Sequence, residues 1–353
     1  MCRSDVTNHH NFEMEHDNEP LRHNSPMTVE PLSRATAWTR YWQTGAAHSC
    51  AGSYSPAYEG AIADFWRTGF SVLSAGSRIL DLGTGNGPLP KIMVAIASRS
   101  DLQCDAIDLA QVAPAWFAEL SSHDSARVRF HSGCSMEALP FEAGTFDLVV
   151  SQWGLEYSNL DVSTPEVLRV LAPGGRIQLL LHHVDALPVA LAAHEVVHLQ
   201  WLLNESPYLE SVEHMLEPMA LAATPEGRSR LMHNAQANQA KEAFNAQQDA
   251  ISSRIEQGAC TDVLVDVRQF VGNLFGIAQN QGAVAARAAL QGLKLELQDS
   301  QLRLRELRDH AKDPGAAEAL AIQLAHGGSY QLEVLRDQDT IMGWALTVAP
   351  AVQ

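Results

Sequence analysis

Arg78-Ile79-Leu80-Asp81-Leu82-Gly83-Thr84-Gly85-Asn86-Gly87-Pro88-Leu89 is the stretch that decides the fold. An apolar run with one acid inside it ends in glycines at alternate positions, and a helical pattern starts at once. Glycine lets the backbone turn sharply and approach a ligand closely, and the free N–H groups of a helix start favour an anionic group. Dinucleotide-binding folds share this logic but place their third glycine three positions after the second. Here Gly87 follows Gly85 by two, and Pro88 stands where that glycine would be.

Outward from this loop, short apolar runs alternate with helical stretches. The runs are Arg78–Leu82, Gln103–Ile107, Arg127–His131, Phe146–Ser151 and Arg176–Leu181. Helices are expected near Pro88–Ser98, Ala110–Ser121 and Pro165–Leu171, with Pro173-Gly174-Gly175 as a turn into the fifth run. Strands and helices at this spacing predict βαβ units and a doubly wound, mostly parallel sheet. Tyr330–Arg336 and Ile341–Val348, joined at Asp337-Gln338-Asp339, predict a closing antiparallel hairpin.

These residues together resemble the class I S-adenosylmethionine-dependent methyltransferases. The first motif of that family matches the hydrophobic-Asp-Leu-Gly-Thr-Gly-Asn-Gly run. The likeness continues through Asp108 at the end of the second run, Leu139-Pro140-Phe141, Gly144-Thr145-Phe146-Asp147-Leu148-Val149-Val150, and Leu171-Ala172-Pro173-Gly174-Gly175-Arg176. It implies a Rossmann-like, seven-stranded sheet with an antiparallel last strand, and S-adenosyl-L-methionine as cofactor. It also implies that Gly83, Thr84, Gly85 and Gly87 line the methionine portion, that Asp81 engages its amino end, and that Asp108 accepts from the ribose hydroxyls. Where the family has Gly-Asp-Ala beside adenine, this sequence has Gly133-Cys134-Ser135, so that contact falls to Cys134, Ser135 or a backbone group. Ser151 closes the expected cofactor set.

Ligands of an open α/β sheet bind beyond the carboxyl ends of its strands. The acceptor is therefore expected near Gln152, Trp153 and Tyr157, with Trp42 and Tyr58 as further walls; Trp38, Tyr41 and Tyr54 belong to the same aromatic group. Methyl transfer by direct displacement depends mainly on positioning, with a base needed only where the acceptor must lose a proton. His182, His183 and Glu156 are the candidate bases. A competing motif, His194-Glu195-Val196-Val197-His198, places two imidazoles on one helical face as zinc hydrolases do. It lacks a suitable third ligand nearby, so no metal is expected.

Five regions are expected: a polar, disordered tail over 1–35, an aromatic helical cap over 36–76, the cofactor-binding core over 77–184, a helical insertion over 185–326, and the hairpin over 327–353. Within the insertion, Leu290, Leu293, Leu297, Leu304 and Leu307 follow a 3-4 spacing, which serves either the chain's own core or a homodimer. The net charge of −17, with no basic segment, argues against a nucleic-acid partner. Scattered cysteines without C-x-x-C fit the cytoplasm, and no apolar run is long enough for a membrane span. The leading expectation is a methyltransferase acting on an O, N or C nucleophile of a small molecule, neutral or cationic. The alternatives are a protein acceptor, or a non-catalytic cofactor-binding or dimerisation protein.

Overall fold

The computed structural model describes residues 33–50 and 59–351. Five parallel strands are built from the expected runs: β1 (Arg78–Leu82), β2 (Gln103–Asp108), β3 (Val128–Ser132), β4 (Phe146–Gln152) and β5 (Leu171–Leu181). The hairpin supplies β6 (Ser329–Asp337) and β7 (Thr340–Ala349). Strand order is β3-β2-β1-β4-β5-β7-β6, with β7 antiparallel to both β5 and β6. The order reverses at β1, between β2 and β4, and the glycine loop leaves β1 at that switch point. Pro173-Gly174-Gly175 sits where the β4–β5 register jumps from Phe146↔Leu171 to Leu148↔Arg176, so the expected turn is an irregularity inside β5.

Continuous apolar strands bury both faces of a parallel sheet. On one face Leu80, Leu82, Val149, Ile177 and Leu179 pack with α5 (Leu160–Val170) and α12 (Pro314–Ala325). On the other, Ile79, Leu148, Val150 and Leu180 meet Trp66 and Phe70 of α2 (Gly60–Ser71) and Leu89 and Met93 of α3 (Pro88–Ala95).

The helix expected over Ala110–Ser121 does not form; a 3-10 turn at Ala115–Glu119 and the short α4 (Ser122–Ser125) replace it. The backbone N–H groups that would start it are taken by side chains: Ala110 N donates to Asp108 Oδ1, Gln111 N to Thr39 Oγ1 and Val112 N to Ser132 Oγ. Pro114 is then held extended. α5 begins earlier than expected, at Leu160 rather than Pro165, because Asn159 caps it through Asp161 N.

The long helical stretch comprises α6 (Leu187–Gln200), which ends in a π-turn at Trp201–Glu205, then α7 (Tyr208–Leu221), α8 (Pro225–Leu231), α9 (Ala235–Gln257), α10 (Asp262–Gln281) and α11 (Ala283–His310). Leu290, Leu293 and Leu297 are buried against α6, α7 and α10, and Leu307 against α6. Leu304 is partly buried beside them, so the leucine stripe serves the chain's own core. α12, although within the same stretch, shares the core of the sheet. The block that stands apart from the sheet is Leu187–His310. It is joined to the rest through α1 (Arg34–Gln43), which lies against α11. Residues 1–32, most of the tail, together with Tyr54 and Tyr58, lie outside the described residues.

Candidate functional site

β1 ends at Leu82, and the chain turns through Gly83, Gly85 and Gly87 with φ of 68°, 54° and 71°. This left-handed region is open to glycine at little cost. The loop is anchored to β2: Thr84 N donates to Ile107 O at 2.9 Å, and Gly85 N to Asp108 Oδ2 at 2.8 Å. Pro88 opens α3 at its first position, where a missing N–H costs nothing.

Asp81 is buried near the end of β1, with the Thr84 hydroxyl facing its carboxylate. Burial pushes the Asp81 carboxyl up to about 7. Asp108 lies on the cleft wall, its Oδ1 and Oδ2 fixed by Ala110 N and Gly85 N at 2.8 Å each. Burial outweighs both donors and lifts it to about 6. Each carboxylate oxygen keeps a further lone pair for a ligand. Cys134, Ser135, Met136, Leu109 and Ala110 continue the same wall. The cleft fits hydroxyls at Asp108 and a flat apolar group against Cys134 and Met136, with Gly83 and Thr84 also in its lining, whereas Asp81, Gly85 and Gly87 do not line it.

The N-terminal helix roofs this cleft. Asn86 Nδ2 donates to Trp42 O at 2.9 Å and to Ala46 O at 2.8 Å, which ties the end of α1 to the glycine loop. Trp38 and Trp42 stack with centroids 5.5 Å apart, and both line the cleft. α11 holds α1 in turn: Arg40 pairs with Asp299 (Nη2 to Oδ1, 2.6 Å), Arg34 pairs with Glu306, and Arg303 lies 4.0 Å over the Tyr41 ring. Arg34 Nη1 also donates to Tyr157 O at 2.6 Å.

At the end of β4, Trp153 has a left-handed φ of 52° and donates its N–H to Leu180 O of β5 at 2.7 Å. Ser151 spends its hydroxyl on Leu82 O and accepts from Leu155 N, bracing the ends of β1 and β4, and it does not line the cleft. Gln152, Trp153 and Tyr157 do line it. Gln152 Oε1 accepts from Trp66 Nε1 at 2.5 Å, and its Nε2 has no partner among the described residues.

The three candidate bases are not brought together. Glu156 and His182 form one buried group behind Trp153 and Tyr157, with Glu156 Oε1 accepting from His182 N at 2.9 Å. Burial lifts Glu156 to about 7 and drops His182 to about 3, so the imidazole is neutral at physiological pH. His183 points elsewhere: its ring stacks on Trp344 at 4.5 Å, and its Nδ1 accepts from Asp185 N at 3.0 Å. It is a satisfied packing residue. In the zinc-like motif His194 is exposed, while His198 accepts from Arg254 Nε at Nδ1 and donates from Nε2 to Ala259 O. Among the described residues no cluster of His, Cys, Asp and Glu can hold a metal.

The cleft also contains residues with no local signal in the sequence: Arg34, Ala47, His48, Ser49 and Glu137. They come from the cap, from the loop after β3 and, for Arg34, from the end of the expected disordered tail, which is already helical in α1; only the tertiary fold places them beside the glycines.

Residues 79–175 match the model of a methyltransferase domain family. The chain is 30% identical over 165 residues to a demethylmenaquinone methyltransferase of Lactococcus lactis, covering 42% of this chain and 59% of that one. It is 36% identical over 110 residues to the enzyme of the same name from Thermus thermophilus, covering 30% and 47%. It therefore spans less than two thirds of either relative. A solved geranyl diphosphate methyltransferase in complex with SAM is 26% identical over 35% of this chain and 49% of that one, with a TM-score of 0.30. Residues 79–175 thus match a methyltransferase domain, and the strand order, the glycine loop and the two strand-end acids agree with a class I S-adenosylmethionine-dependent one.

Proposed function

We propose that this protein is a cytoplasmic methyltransferase that moves the sulfonium methyl group of S-adenosylmethionine to an O, N or C nucleophile of a small molecule. The observation that carries it is the placement of two buried carboxylates around the glycine loop, Asp81 beside the Thr84 hydroxyl and Asp108 fixed on the cleft wall by Gly85 N. Asp81 would hold the cofactor's ammonium, Asp108 its ribose hydroxyls, and Cys134 and Met136 the face of its adenine. The bound cofactor supplies an electrophilic methyl group that needs no covalent enzyme intermediate.

A small acceptor is favoured because α1 roofs part of the cleft and α11 holds α1 down. Both curated relatives carry the name of an enzyme acting on a small molecule. An acidic chain with no basic segment gives nucleic acid no purchase, and among the described residues no helix is long and apolar enough to cross a membrane. Of the two features that suggest a non-catalytic protein, the leucine stripe packs into the chain's own core and Cys134 remains on the cleft wall.

Calorimetry with S-adenosylhomocysteine tests the reading. Micromolar binding that is abolished by Asp108→Ala is expected. Absence of binding at millimolar concentration, or binding unchanged by the substitution, would refute it.

A further inference from the structure

The strand tips divide the cofactor cleft. β2 ends at Asp108 and β1 in the glycine loop; the next strand over is β4, which ends at Gln152. The turn after β4 lies directly on the loop, since a Cβ added to Gly83 would stand 3.2 Å from Gly154 Cα. The cap closes on the same tip: the His48 ring lies 5.8 Å from that of Trp153, and both residues line the cleft. With the ribose at Asp108 and the methionine portion at the loop, the end of the cleft at Gln152, Trp153 and His48 is left for the acceptor.

Gln152 lines this end and is 8% exposed, and its Nε2 has no hydrogen-bond partner among the described residues. Folded interiors pair nearly all such groups, because an orphaned donor forfeits its hydration without return. The direction of the carboxamide is fixed. Its Oε1 accepts from Trp66 Nε1 at 2.5 Å, and an indole N–H can only donate, so the oxygen and not the NH2 faces α2. Trp66 is itself fully buried and stacked on Phe70. Turning the amide over would set two donors against each other. The NH2 is therefore the end left to a ligand.

We propose that Gln152 is a specificity-determining residue for the methyl acceptor, donating from Nε2 to a neutral carbonyl oxygen (ketone, ester or amide) that the acceptor carries. The inference deepens the cofactor reading above and rests on it. A carboxamide NH2 donates and does not accept, so an ammonium finds no partner there. A hydroxyl can accept the bond but would leave its own O–H unpaired, because Oε1 is spent on Trp66. A carboxylate would meet Asp108 and Glu137 in the same lining, where the guanidinium of Arg34 is already paired with Glu306. A carbonyl accepts without any of these penalties.

The test uses three probes of one skeleton, acetophenone, 1-phenylethanol and ethylbenzene, titrated by ligand-observed NMR into protein saturated with S-adenosylhomocysteine. Acetophenone should bind about fivefold or more tighter than either other probe. Gln152→Met keeps the length of the side chain and removes the donor, so it should bring acetophenone down to the level of ethylbenzene. It should leave ethylbenzene and S-adenosylhomocysteine binding as in wild type. Should the stranded Trp66 N–H keep Gln152→Met from folding, the double variant Gln152→Met with Trp66→Phe strands no donor and carries the same comparison. Equal binding of acetophenone and ethylbenzene by wild type, as a trapped water on Nε2 would give, overturns the assignment. So does 1-phenylethanol binding as tightly as the ketone, or a preference that survives loss of the carboxamide. Failure of wild type to bind S-adenosylhomocysteine overturns the cofactor reading and the Gln152 assignment with it.

Discussion

The indole of Trp42 stands so close over Gly85 that a Cβ at position 85 would come within 2.7 Å of its ring. The glycine loop is thus shaped from both sides, by a ligand cleft below and by the roof helix above.

Gly85→Ala is expected to suffer twice. A left-handed residue with a side chain costs about 1–2 kcal/mol, and the new methyl group must displace Trp42. Urea unfolding should show a loss of about 2 kcal/mol or more, with S-adenosylhomocysteine binding weakened in step. Adding Trp42→Ala should recover the part due to the clash and leave the backbone part. A double variant no more stable than Gly85→Ala would show that Trp42 is not the obstacle.

How far the sequence disclosed this arrangement depended on whether a feature was local. The run from Arg78 to Leu89 carries its strand, turn and helix within itself, so β1, the loop and α3 could be read directly. The hairpin and the five parallel strands followed from period and spacing. The expected helix after Asp108 failed because Thr39 and Ser132, remote in sequence, capture the N–H groups it needed. His48 and Arg34 reach the cleft only because α1 folds back over it, and nothing near them in the sequence records that contact. His182 and Glu156 were legible as polar groups at strand ends. Their burial behind aromatic walls, and the turning away of His183, depend on packing that periodicity does not encode.

Asp81 makes a pH-dependent contribution of definite sign. Its folded value of about 7 lies above the ordinary 3.8, so the folded, ligand-free protein binds this proton more tightly than the unfolded chain. Stability from this group is full below about pH 4 and is lost as pH rises through about 7. The neighbouring group that titrates in the same window is Asp108, while the Thr84 hydroxyl opposes the rise at Asp81. Asp81→Asn removes the ionisation, so its stability relative to wild type should rise from pH 5 to pH 8. Cofactor affinity should behave oppositely: it should strengthen through pH 7 in wild type, as the carboxylate becomes available to an ammonium, and stay flat in Asp81→Asn. Parallel profiles for the two proteins would show that Asp81 titrates elsewhere.

The helical block reaches the cleft through Arg40 and Asp299, and this link can be measured apart from chemistry. Asp299 is buried while Arg40 remains about a third exposed, so removing the arginine strands a carboxylate without its counter-charge. A fully buried broken pair costs about 3–5 kcal/mol; exposure of Arg40 to solvent brings the expectation for Arg40→Ala down to about 1–3 kcal/mol. Asp299→Asn should cost less, because an amide keeps a hydrogen bond without a charge to desolvate. The two substitutions should be non-additive by about 1 kcal/mol or more in a double-mutant cycle. If α11 holds the roof, Arg40→Ala should also speed hydrogen exchange at Gly85 and Gly87, although neither touches Arg40. The path runs from α11 to α1 and, through Asn86 bonded to Trp42 O and Ala46 O, into the loop. Unchanged exchange at both glycines with α1 itself loosened would confine the clamp to the cap and separate the helical block from the cofactor cleft.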